Sequence, residues 1–222
     1  MKNRQSGFTL VEIAIVLVII GLLLGGVLKG QELVNSAKVK NHISDIKAVP
    51  LFIYGYQDKY KALPGDDPAA ATHVGAGATL APTAATIGNG RIEGNFNSTT
   101  ATDESLAFWQ QVRLANIAAG STDFSSAAAI AASVPRNTDG GRIGVQSTAP
   151  IANMTGSYFV CSDGILGKFA KQIDITMDDG NTTTGSLRVG ANGYAGAALA
   201  AVPTAGAGAI ADDATYTVCA AF

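Results

Sequence analysis

Charge is scarce in this chain. Asp, Glu, Lys and Arg supply 14% of its 222 residues, and 15 basic side chains nearly balance 17 acidic ones. That balance argues against a nucleic-acid surface, which needs a basic patch. Large aromatics are few, and Trp109 is the single tryptophan, best placed as a core anchor. The two histidines, His42 and His73, have no sequence neighbour at metal-ligand spacing. The two cysteines, Cys161 and Cys219, lie too far apart for a C-x-x-C redox pair or a zinc knuckle. No glycine-rich phosphate loop follows a strand pattern, and no G-x-S-x-G nucleophile elbow is present. The expectation is therefore a protein that is not an enzyme and needs no resident cofactor.

What the chain does have is an apolar run over residues 8–28, FTLVEIAIVLVIIGLLLGGVL. At 1.5 Å per residue it is about 30 Å long, one hydrocarbon thickness. Glu12 is the one ionisable side chain inside it. A carboxylate at mid-membrane costs roughly 2.5–3.5 kcal/mol on insertion scales, and less near the end of a span. Such a group needs a partner, and no opposite charge stands nearby in sequence, so the partner is expected to be non-local. Lys2 and Arg4 precede the run and favour a cytoplasmic N-terminus; Lys29, Lys38 and Lys40 after it weaken that bias. A secretory signal would carry a small-residue cleavage site after the apolar core, and Lys29-Gly30-Gln31-Glu32 is not one. The small residue, Gly7, comes before the core instead. On hydropathy alone, a plain N-terminal anchor remains an open reading.

Gly7, Phe8 and Glu12, in the string GFTLVEIAIVLVIIGLL, resemble the leader and helix start of type IV pilins and type II secretion pseudopilins. The resemblance covers about the first tenth of the chain. It implies cleavage between Gly7 and Phe8 by a prepilin peptidase, N-methylation of Phe8, and an assembly role for Glu12 opposite the terminal amine of a neighbouring subunit. The proline that often follows the apolar run in that family is absent; Lys29 stands about there. Three further strings are similar to prepilin-type proteins: residues 60–67 (YKALPGDD), Phe108-Trp109-Gln110 with Leu114, and Asp178-Asp179-Gly180.

Beyond the run, apolar residues recur at Val39, Ile43, Ile46, Val49, Ile53, Tyr56 and Tyr60, the spacing of one helical face. The organisation expected is a leader at 1–7, a membrane or filament-core helix at 8–28, its amphipathic continuation at 29–62, and a globular head at 63–222. Pro50 predicts a bend in that helix, and Leu63-Pro64-Gly65 its end. Residues 64–102 read as a long surface loop and 103–119 as a helix closed by Gly120. Strands are expected at 141–147, 157–162, 186–189 and 215–220, with a short helix at 165–173. The fold class is α+β: a long N-terminal helix against a small antiparallel sheet, which is also what the pilin resemblance implies. An even cysteine pair in an exported domain reads as a disulfide, Cys161–Cys219, with two free thiols as the alternative.

Metal chemistry has one candidate, calcium at Asp178, Asp179 and Asn181; an ordinary Asp-Gly turn is the competing reading. The loop at 88–94 offers only Asn89 and Glu93 around Arg91, too few oxygens for a calcium loop. The functions in competition are a structural subunit of a type IV pilus or pilus-like filament, a type II secretion pseudopilin, and a membrane-anchored periplasmic binding domain. The resemblance implies other pilin or pseudopilin subunits as partners, with the prepilin peptidase and an inner-membrane platform with a separate ATPase. Localisation would be the bacterial inner membrane, single-pass, then a periplasmic or cell-surface filament.

Overall fold

The computed structural model describes residues 9–78 and 86–222. Helix α1 (Leu10–Tyr60) is one element of 51 residues and stays helical through Pro50. Val39–Phe222 form one compact unit; the residues up to Lys38 form another. In the larger unit the face expected from the 3–4 spacing is the buried one: Val39, Ile46, Val49, Ile53 and Tyr56 enter the core, together with His42 and Pro50. Lys61 takes a left-handed conformation (φ 55°) and ends α1, ahead of the Pro-Gly pair.

Among the described residues four further helices follow: α2 (Ala70–Val74), α3 (Glu104–Leu114), α4 (Ala127–Ser133) and α5 (Gly167–Met177). The helix expected at 103–119 is shorter. Asn116 adopts φ 59°. Asn116 N–H donates to the Arg113 carbonyl and Ile117 N–H to the Val112 carbonyl, both at 2.9 Å. This is a Schellman stop with asparagine in the left-handed position, placed before the expected Gly120. Helix α4 falls where only a loop was expected; Ser126 caps it by accepting from Ala129 N–H at 3.2 Å.

The sheet has order β1-β2-β4-β3 and is antiparallel throughout, from β1 (Ile143–Gln146), β2 (Phe159–Leu166), β3 (Leu187–Ala191) and β4 (Thr215–Ala221). Strand β2 runs past the expected end at Ser162 through an irregularity, so Ile165 pairs with Tyr216 rather than opening a helix; α5 begins two residues later. Both sheet faces are covered. Val145, Val160, Ile165, Val189 and Val218 join the α1, α3 and α5 side chains in the main core. On the other face Phe96, Ile151, Met154, Phe159 and Tyr194 surround the Cys161–Cys219 disulfide. The two cysteines sit directly opposite each other in the β2–β4 register.

The segment expected as a surface loop is tied down. Asp66 is buried, and its carboxylate accepts from Gly88 N–H, Asn89 N–H (3.2 Å) and Gly90 N–H (2.6 Å). The glycine-rich loop at 88–94, too poor in oxygens for a cation, closes around an anion of the protein's own. Asp67 accepts from Tyr56 Oη–H at 2.7 Å, and His73 Nδ1 lies 2.7 Å from the same oxygen. Gly65 N–H donates to Gln111 Oε1 at 2.6 Å. Gly65 has φ +91°, and a Cβ there would stand 2.5 Å from the Glu104 carbonyl oxygen, so only glycine suits the position. The LPGDD string thus latches α1, α3 and the loop before β1.

Candidate functional site at the start of the long helix

Thr9 and Glu12 form a reciprocal cap. The Glu12 carboxylate accepts from Thr9 N–H at 2.7 Å and from Thr9 Oγ1–H at 2.8 Å, while Glu12 N–H donates to Thr9 Oγ1 at 3.2 Å. This is the T-x-x-E capping box, which satisfies donors at a helix start that have no intrahelical partner. Glu12 thus has a local hydrogen-bond partner in Thr9, which carries no charge. Its side chain remains exposed, with unused acceptor capacity for a cation. Behind it the side chains Leu10, Val11, Ile13, Ile15, Leu17 and Leu22 are all solvent-facing. Helix α1 is long and apolar enough to cross a membrane.

Among the buried acids of the larger unit, Glu104 and Asp174 depart furthest from ordinary carboxylate behaviour. Glu104 is 1% exposed. Burial pushes its carboxyl up to about 7, opposed by the Glu93 N–H and reinforced by Asp66, Glu93 and Asp103. Asp174, in α5, is fully buried. Burial, with Asp179 and Asp178 beside it, pushes its carboxyl up to about 7. One ligand oxygen from each of Asp174, Asp178 and Asp179 lies within 4.8 Å of the others. Asn181, named with Asp178 and Asp179 from sequence, has its Oδ1 occupied by Thr183 Oγ1–H at 2.9 Å. Asp174 is the member that sequence reading missed. Asp178 caps the end of α5, its N–H donating to the Asp174 carbonyl at 2.8 Å.

Compared with known proteins, the chain matches the family described as the prokaryotic N-terminal methylation motif over residues 2–28. The chain carries the type IV pilin and pseudopilin signature. No curated protein and no solved structure matched. The signature supports a pilin or pseudopilin and points to a structural subunit. It implies processing by prepilin peptidase and assembly with other pilin subunits. With the apolar helix, it points to inner-membrane anchoring before assembly. Gly7 and Phe8, the pair expected to be cut, lie outside the described residues. The pilin-like fold, a long helix on a four-stranded antiparallel sheet, agrees with the signature.

The histidines take structural places. His42 is fully buried, with Nε2 3.0 Å from Asp139 Oδ2 and 3.3 Å from Thr138 Oγ1. His73 stacks on Tyr60 at 5.1 Å. Neither belongs to a group of three metal-ligating side chains among the described residues. Trp109 is buried edge-on to Phe108 at 5.0 Å, the core anchor expected.

Proposed function

We propose that this chain is a structural subunit of a type IV pilus or pilus-like filament. Prepilin peptidase cuts between Gly7 and Phe8, the new amine of Phe8 is methylated, and Glu12 pairs with that amine on a neighbouring subunit. Residues 8–28 then move from the bilayer into the filament core. The match at residues 2–28, coinciding with an exposed acid at the start of an exposed apolar helix, carries this reading.

The physics of assembly follows from the side chains. In lipid, helix association has no hydrophobic driving force. Gly21, Gly25 and Gly26 have open space around them, and the first two are spaced as G-x-x-x-G, which permits close helix approach. The positive amine and Glu12 at about 4 Å attract by roughly 4 kcal/mol at an effective dielectric of 20. That offsets part of the desolvation of both and sets axial register. Extraction from the membrane needs work from elsewhere: a platform in the inner membrane with a separate cytoplasmic ATPase.

Pseudopilins share the signature, so the test separates end uses. A deletion strain imaged by electron microscopy is expected to lose surface filaments, restored by a plasmid copy. Intact surface filaments with lost protein export would place the chain in a secretion pseudopilus instead. Unchanged filaments and unchanged export would leave a tethered periplasmic domain.

A further inference from the structure

A cleft of about 250 Å³ lies in the larger unit between α1 and α3. An apolar cavity of about 150 Å³ already suffices for benzene. Helix α1 lines the cleft with Asp45, Val49 and Phe52, at steps of four and three along one face, and α3 with Trp109 and Arg113, four residues apart. Ile143 of β1 extends the apolar wall. Two polar side chains of this lining lack partners. Arg113 is 8% exposed, and burial pushes the pKa of its guanidinium down. Its Nη1 donates to the Ser121 and Ser133 carbonyls, both at 2.8 Å, which holds the side chain in place. Its Nε–H has no acceptor. Among the described residues no carboxylate stands within ion-pair distance of it, Asp45 included. Trp109 is 5% exposed, and its Nε1–H has no acceptor either. A buried indole N–H usually finds one, and a buried guanidinium without a counter-ion is strongly unfavourable.

We propose that this cleft binds a small organic monocarboxylate with an apolar body, its carboxylate answering Arg113 and Trp109 and its body packing on Val49, Phe52 and Ile143. The lining selects that class from three sides. A neutral hydrocarbon would leave both donors unpaired, at the cost of a buried polar group without a partner. An inorganic anion would leave the apolar wall uncovered, whereas small-molecule sites join a mostly apolar lining to a few placed polar groups. A dicarboxylate would bring its second charge toward Asp45, the one acid of the lining, and like charges repel. The site lies apart from Glu12 and stands or falls independently of filament assembly.

Trp109 is the only tryptophan, so its emission reads the cleft directly. The full chain in detergent micelles is titrated with phenylacetate at constant ionic strength. Emission is expected to change saturably, with half-saturation below about 1 mM. Phenylacetamide has the same shape without the charge and is expected to bind at least about tenfold more weakly. Inorganic phosphate is expected to leave the emission unchanged. Arg113→Met keeps an apolar stem and removes the charge; its half-saturating phenylacetate concentration should rise at least about tenfold. Asp45→Asn, at a half-buried position, is the second variant and removes the like charge from the lining. It is expected to bind phenylacetate about threefold more tightly than the parent, a gain that damage to the fold would not produce. A parent response that does not saturate up to about 10 mM overturns the proposal. So does equal binding of phenylacetamide, or an Asp45→Asn variant that binds phenylacetate no more tightly than the parent.

Discussion

Glu12→Gln is expected to leave the protein in the membrane at its normal level and to cut filament yield below about one tenth of the parent. Two roles meet in this side chain and the substitution divides them. Glutamine serves in a capping box as well as glutamate does, so the hydrogen bonds from Thr9 to residue 12 and the start of α1 are retained. What glutamine lacks is charge. If the carboxylate neutralises the Phe8 amine of an adjoining subunit, that attraction is lost at each contact. In a helical polymer that loss recurs at every subunit. Glu12→Val removes cap and charge together and should assemble no better. Quantitative immunoblotting of sheared filaments against membrane fractions reads both variants. Normal yield from Glu12→Gln with failure of Glu12→Val would make the carboxylate a cap alone.

The second large effect concerns the disulfide. Replacing both Cys161 and Cys219 by alanine is expected to destabilise the larger unit by about 2–4 kcal/mol, from the entropy of a closed loop in the unfolded chain. The sequence separation is 58 residues, and the loop encloses α5 and β3. For a unit of this size that corresponds to a fall in melting temperature of about 5–15 °C. The single variants should fall about as far as the double one, because either removes the whole constraint. Both cysteines are fully buried on the sheet face lined by Phe96, Ile151 and Phe159, so alanine is the proper probe and serine would add an unsatisfied hydroxyl. Differential scanning calorimetry of the purified chain, with and without reductant, checks the figure. Identical melting of parent and double variant would show that the cross-link contributes nothing.

Elements with a strong period are legible in the order of residues alone. The stripe from Val39 to Tyr56 has one face of a helix written into its spacing, and that face is the buried one. The short β-branched strings around Cys161 and Cys219 mark the two central strands, because both sheet faces are covered and little alternation is needed. What the sequence hides is mostly polar and buried. Asp66 and Glu104 lie inside because backbone N–H groups from elsewhere in the chain reach them, a tertiary fact with no local trace. Asp174 is hidden because an acid in an amphipathic helix looks solvated. Two other features do leave local signals. The capping box Thr9-x-x-Glu12 stands in plain order before an apolar run, although the membrane cost of Glu12 is the more conspicuous property of that residue. Asn116 competes with Gly120 for the stop of α3, and asparagine tolerates the left-handed conformation well enough to act first.

Whether this chain is a pilin depends most directly on the identity of its mature N-terminus. Intact-mass and N-terminal fragment analysis of protein isolated from the native membrane decides it. The predicted result is a chain that begins at Phe8 and carries one added methyl group on its amine. A mature chain that begins at Met1, with the bond between Gly7 and Phe8 intact, would contradict it.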